Sequence, residues 1–203
     1  MRLSCQEQLL PGDSLQAKFE FALRAGFDGI ELRGEGDGRF AARLPALRAA
    51  ARAGVVMATV CPWMDHFIGD FDAAREGVWL AVEPLNRYED HMVNRLEQAI
   101  ALGEEVERQL GVDAVRVCAD LFHMNIEEDD LAAAIVDAGP RLAHVHVDDS
   151  NRQQPGTGHL NFAAAFGALR AVGYRGWLTL ECRLRGDPAQ ALPATRRFLA
   201  SLL

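Results

Sequence analysis

Short apolar runs alternate along the chain with longer stretches in which apolar positions return every three or four residues. The short runs, residues 2–5, 29–33, 55–61, 78–83, 114–120, 142–149 and 176–183, predict strands. The longer ones, 14–25, 40–53, 92–110, 129–138, 162–172 and 188–202, predict amphipathic helices. Asp13 or Ser14 is placed to cap the first helix and Asn161 the one that starts at Phe162, and Gly26, Gly54, Gly111, Gly139 and Gly173 follow helix ends. Regular strand–helix alternation predicts an α/β fold with a parallel sheet and crossover helices.

The strand faces narrow this further. Val78, Leu80 and Val82 oppose Trp79, Ala81 and Glu83; Val115, Val117 and Ala119 oppose Arg116, Cys118 and Asp120. Ala143, Val145 and Val147 oppose His144 and His146, and Leu178 and Leu180 oppose Trp177, Thr179 and Glu181. One face is aliphatic and suited to lie under helices. The other is mixed and ends in a residue type that binds metals, as the inner face of a closed barrel does where it opens at the C-terminal rim. The reading is a (β/α)8 TIM barrel forming one domain over residues 1–203, but only seven strands are found where eight are needed. The shortfall lies between Trp63 and Val78, where about one α-β-α segment is missing: residues 62–77, PWMDHFIGDFDAAREG, hold only a scrap of helix at 70–75.

Composition removes several function classes. Of 203 residues, 29 are acidic and 21 are Lys or Arg, giving a net charge of −8, which disfavours nucleic acid or an anionic membrane as partner. No stretch reaches the roughly 20 apolar residues of a membrane helix, and the start MRLSCQEQLLPGDS does not read as a secretory leader. Cys5, Cys61, Cys118 and Cys182 form no C-x-x-C pair and each lies in or beside an apolar run, so buried free thiols and a cytoplasmic location are expected.

Glu83, Asp120, His146 and Glu181 each occupy the last inward position of a strand. Three carboxylates and an imidazole suit a hard or borderline divalent ion: Mn²⁺ first, with Mg²⁺, Co²⁺ or Zn²⁺ as alternatives. A cation there would offset the cost of turning Glu83 inward, and Pro84 ends its strand. One inward acid alone could simply pair with an arginine; the recurrence over four strands carries the metal reading.

The stretches VEPLNRYE, ADLFHMNIEE, HVHVDDSNR, PGTGHLNF and LTLECR resemble the xylose isomerase-like TIM-barrel superfamily, in the branch of sugar isomerases and epimerases typified by D-tagatose 3-epimerase and hydroxypyruvate isomerase. The resemblance is looser over residues 1–63, where FALRAGFDGIEL looks like the family's first helix and second strand. It implies Glu83, Asp120, His146 and Glu181 as metal ligands, and Glu83 and Glu181 as the catalytic pair that exchanges protons with substrate carbon. It implies substrate contacts at His123 and Arg152, with Glu89 hydrogen-bonded near His123, and its spacing to Arg152 selects His146 rather than His144. The implied function interconverts keto sugars or small hydroxy-keto acids by proton transfer through an enediolate, either as epimerisation or as aldose–ketose isomerisation. Alternatives on the same scaffold are a keto-inositol dehydratase, an abasic-site DNA endonuclease and a non-catalytic binding module. Association into a homo-oligomer stays open.

Trp63, ending the third strand, reads as a wall stacking on a sugar face or as packing. Glu31 and Arg116 are expected to form an ion pair low in the barrel, His144 to be a core residue one layer below His146, and PGTG to be a turn rather than a phosphate cradle. The acid run at 127–130 reads as the charged start of the following helix.

Overall fold

The computed structural model describes residues 1–35, 38–63 and 78–203, with Trp63 described for its backbone alone. Seven parallel strands form one sheet: β1 (Arg2–Gln6), β2 (Gly29–Glu35), β3 (Met57–Trp63), β4 (Leu80–Val82), β5 (Val115–Asp120), β6 (Leu142–Val147) and β7 (Trp177–Leu180). Their order is β3-β2-β1-β7-β6-β5-β4. Among the described residues the end strands are β3 and β4, which flank residues 64–77. The expected place of the missing barrel unit thus falls between these two end strands, and the short helical stretch expected at 70–75 lies outside the described residues.

The two faces of the sheet divide as the alternation predicts. Leu3, Cys5, Ile30, Val117, Ala119, Val145, Val147, Leu178 and Leu180 are buried in the apolar core with helix residues Phe19, Ala22, Leu96, Ala99, Ile135, Phe166, Leu169, Leu192 and Leu199. The opposite face is polar and equally dry: Ser4, Glu31, Asp120, His146 and Thr179 are all buried. Ser4 Oγ and Thr179 Oγ1 lie 2.6 Å apart across the β1–β7 pairing, so this polar face is stitched by its own side chains.

The helices are α1 (Leu15–Ala25), α2 (Arg39–Arg52), α3 (Leu96–Leu110), α4 (Leu121–Glu127), α5 (Leu131–Ala138), α6 (Phe162–Ala171) and α7 (Pro188–Ala200). Ser14 caps α1 by accepting from Ala17 N, Asn161 caps α6 by accepting from Ala164 N, and Gly26 closes α1 at φ 96°, a backbone region favourable to glycine. Gly103 lets α3 lie tight on β5, since a Cβ there would stand 3.2 Å from Val115 Cγ1.

Four differences from the sequence reading have local causes. Helix α4 follows β5 with no loop between them, Asp120 serving as its cap, and it stands where the sequence predicts no element. β4 is shorter than 78–83 because Val78 and Trp79, both more than half exposed, precede its pairing with β5. The acid run does not act as one helix start: Glu127 ends α4 and pairs with Arg87, Glu128 accepts from Leu96 N, Asp129 pairs with Arg95, and only Asp130 caps α5. The Glu31–Arg116 pair does not form, because Arg116 turns away to Asp113 with Nη2 2.9 Å from Oδ2. No helix among the described residues is long and apolar enough to cross a membrane. All four cysteines are free and lie buried or half-buried.

Candidate metal centre and substrate mouth

The C-terminal ends of four strands deliver the acids and imidazole to one point. Glu83 follows β4, Asp120 ends β5, His146 lies in β6 and Glu181 follows β7. One potential ligand atom from each lies within 4.8 Å of all the others. His146 Nδ1 is 3.1 Å from Glu83 Oε1 and 2.7 Å from Glu181 Oε2. Asp120 Oδ1 is held by the N–H groups of Phe122 at 2.8 Å and His123 at 3.2 Å, the first turn of α4. Its other oxygen, Oδ2, is buried and has no hydrogen-bond partner among the described residues.

A bare, buried carboxylate oxygen in a cluster of three acids and one imidazole is costly unless a positive group meets it. The donor set, oxygen-rich with one imidazole nitrogen, fits a divalent cation. Burial, and then the charge of Glu83, push Asp120 up to about 6. Burial pulls His146 down, but Cys118, Glu31, Glu181 and Glu83 around it outweigh that and carry it well above the usual imidazole range. For Glu181 burial acts upward and His146 more than reverses it, holding the carboxyl below its ordinary value.

A second layer backs this cluster. Glu31, on β2 and 1% exposed, accepts from Gln6 Nε2 at 2.9 Å and Thr59 Oγ1 at 2.6 Å. Its oxygens lie 3.2–3.3 Å from His146 Nε2 and 3.0 Å from His144 Nε2. Burial would raise Glu31, yet His146 and His144 hold it well below the carboxylate range. His144 is buried beneath His146, their rings edge to face at 4.9 Å, and burial keeps it below the ordinary imidazole value. Glu31 is the residue that the sequence placed elsewhere. Its inward position was visible, but its partners come from β1, β3 and β6, which no local pattern connects.

On the other side lies a polar mouth. His123 Nδ1 receives the backbone N–H of Asn86 at 3.1 Å and faces Asn86 Nδ2 at 2.8 Å. A backbone N–H only donates, so Nδ1 accepts, and the neutral ring carries its proton on Nε2. That nitrogen stands 3.8 Å from Asp120 Oδ2 and 3.4 Å from Arg152 Nη1. Burial, opposed by Asp120, keeps His123 below the ordinary imidazole value and hence neutral. Arg152 Nη1 donates to Glu89 Oε1 at 2.6 Å, its guanidinium lies 4.8 Å over the Phe122 ring, and Asn86 Nδ2 also donates to Glu89 Oε1 at 3.0 Å. Glu89, His123 and Arg152 are therefore brought together, with Asn86, unmarked by any charge or motif, joining them. The side chain of Trp63 lies outside the described residues.

Arg152 has φ 56°, a strained value for a residue with a Cβ. The loop that holds it is organised by Asp149, whose carboxylate accepts from the N–H groups of Ser150, Gly156, Thr157 and Leu160. The PGTG stretch thus spends its amides on Asp149 and reads as a turn. A separate groove between α1 and α2 shares no residue with this mouth, and Glu7 and Arg43 within it pair with one another at 2.7 Å.

The sequence model of one family, described as xylose isomerase-like TIM barrel, matches residues 66–202. The chain belongs to that family. Within it, the chain is 50% identical over 120 residues to the 3-dehydro-D-guloside 4-epimerase of Escherichia coli K12, covering 59% of this chain and 44% of that protein. It is 41% identical over 114 residues to the D-psicose 3-epimerase of Agrobacterium fabrum, covering 56% of this chain and 38% of that protein. The matched stretch thus spans less than half the length of these curated relatives. Among solved structures, the apo 3-keto-D-glucoside 4-epimerase of E. coli superposes with a TM-score of 0.85 at 29% identity, over 99% of each chain.

Proposed function

We propose that this xylose isomerase-like chain is a divalent-metal-dependent epimerase of a keto sugar, inverting a carbon beside a carbonyl. The observation that carries the reading is the approach of ligand atoms of Glu83, Asp120, His146 and Glu181 to within 4.8 Å of one another. These four would hold the ion, most suitably Mn²⁺, with Mg²⁺, Co²⁺ or Zn²⁺ as alternatives. When bound, the ion draws electrons from the substrate's carbonyl and adjacent hydroxyl and so acidifies the neighbouring C–H.

The chain's own groups do the rest. Glu181, held ionised by His146, takes the proton from one face of the sugar, leaving an enediolate, and Glu83, from the strand on the other side of His146, returns one to the opposite face. His123 Nε2–H, fixed by Asn86, donates to an oxygen at the carbonyl end of the substrate. Arg152, oriented by Glu89 and Phe122, binds the substrate's hydroxyls. The names of the two curated relatives specify inversion at carbon 4 of a 3-dehydro sugar and at carbon 3 of a ketose, so epimerisation is favoured over aldose–ketose isomerisation. Free thiols at all four cysteines support a reducing compartment such as the cytoplasm.

The test is epimerisation, and deuterium uptake from solvent at the carbon beside the carbonyl, over a panel of 3-keto-glycosides and free ketoses with Mn²⁺ or Co²⁺. Wild type should show both and lose both to a chelator. Glu181→Gln should lower turnover by about 10²–10⁴-fold, the contribution of one positioned base. Turnover unchanged in Glu181→Gln sinks the mechanism, and metal binding without exchange on any sugar makes the chain a binding module.

A further inference from the structure

An imidazole that binds a cation through one nitrogen must dispose of the proton on the other, and His146 has a dedicated acceptor for it. Its Nδ1 faces Glu83 and Glu181, at 3.1 and 2.7 Å, while Nε2 faces Glu31, at 3.2 Å from Oε2 and 3.3 Å from Oε1. We propose that Glu31 is a positioning residue: by accepting the Nε2–H of His146 it fixes the ring's tautomer and tilt, so that the Nδ1 lone pair is presented to the ion. This rests on the metal-centre reading above and adds to it a residue from β2, a strand that contributes none of the four ligands.

Glu31 is itself held from both sides. Gln6 on β1 donates to Oε2 and Thr59 on β3 donates to Oε1, so the carboxylate is clamped by the strands on either side of its own. His144 Nε2, 3.0 Å from Oε1, brings a further ring nitrogen to the same carboxylate. A carboxylate bound in this way can aim a histidine but has little left to offer an ion.

That point separates two cation positions that the side chains allow. Glu31, Cys61, His146 and Glu181 also bring ligand atoms within 4.8 Å of one another, which would make Glu31 and the Cys61 thiolate direct ligands. One bare oxygen decides between them. Asp120 Oδ2 lacks a hydrogen-bond partner among the described residues, and Asp120 belongs only to the first position, whereas both oxygens of Glu31 are engaged.

Mn²⁺ titration of the chelator-stripped protein, followed by the paramagnetic resonance of the free ion, tests the proposal with no use of activity. Wild type should bind one ion per chain, and Asp120→Asn should bind it far more weakly. Loss of the outer acceptor in Glu31→Ala should cost about 10–100-fold in affinity, the usual effect of removing such a partner. Glu31→Gln, whose amide oxygen still accepts an N–H, should recover most of this loss. Thr59→Val, which loosens one side of the clamp without touching Glu31, should weaken binding by a few-fold and serves if Glu31→Ala does not fold. In ¹⁵N spectra of the Zn²⁺-loaded protein, the Nε2–H of His146 should be protected from exchange in wild type and Glu31→Gln, and lose that protection in Thr59→Val. Wild-type affinity in Glu31→Ala, or unchanged affinity and protection in Thr59→Val, overturns the positioning role and leaves the metal centre standing. Failure of wild type to bind any divalent ion overturns the centre and the proposal with it. A thiolate charge-transfer band in the Co²⁺-loaded protein that Cys61→Ser removes would make Glu31 a ligand and also overturn it.

Discussion

Asp120 carries two tasks on one carboxylate. Oδ1 caps α4 through Phe122 N and His123 N, and Oδ2 is left bare beside Glu83. The first fixes the second, because a cap pinned by two backbone donors cannot rotate away. Burial and Glu83 raise its titration to about 6, so on the proposed reading a cation would have to displace a proton from Asp120 below that pH. His146, raised well above its usual range, would give up a proton at higher pH as well if it took an ion. Affinity for Mn²⁺ should therefore rise with pH, and its slope should steepen by about one proton, roughly tenfold per pH unit, below about 6. Calorimetric titrations from pH 5 to 8 in several buffers would show this as proton release; an affinity flat across that range would contradict it. These residues were legible in the sequence because each ends an alternating strand. Asn86 was not, since its role depends on one backbone N–H meeting a ring 37 residues away.

At the level of elements, alternation revealed the strands because helix-covered and site-facing positions differ sharply in polarity. Leu178 and Leu180 against Thr179 is the pattern at its plainest. Helix α4 was hidden because ADLFHM continues an apolar run past a strand end, and its cap is also the strand's last residue. Ordinary helix punctuation needs a loop in which to stand. The loop after β6 shows the reverse case, irregular backbone held by a single side chain. Asp149→Ala removes the acceptor of four backbone N–H groups, and Arg152 loses the frame for its φ of 56°. This variant should lose about 1–3 kcal/mol of stability in urea unfolding, since four part-buried hydrogen bonds to one carboxylate are lost together. It should also raise KM for the sugar with a smaller change in kcat, and speed amide exchange over residues 150–160. A KM equal to wild type would mean that Arg152 does not bind substrate.

Across the whole molecule, the site exists because the sheet curls. Residues of β2, β3, β6 and the end of β7 meet in one 4.8 Å cluster and those of β4, β5, β6 and β7 in another, which a flat sheet seven strands wide would not allow. The aliphatic outer face under the helices holds that curvature. Leu178, fully buried on the strand between β1 and β6, is central to it. Leu178→Ala should cost about 2–5 kcal/mol by thermal or urea unfolding, as large-to-small changes in a packed core do. A loss below about 1 kcal/mol would mean that the sheet and helices are loosely joined. The order of strands also has a bearing on how the molecule is made. Ser4 meets Thr179 across 175 positions of chain, and Glu31 meets His146 across 115. A ribosome therefore releases β1 long before its neighbour β7 exists, and no nascent polypeptide that stops short of Glu181 can gather the four side chains of the cluster. Assembly of the site thus waits for β7, a late-made strand that locks against one made 175 positions earlier.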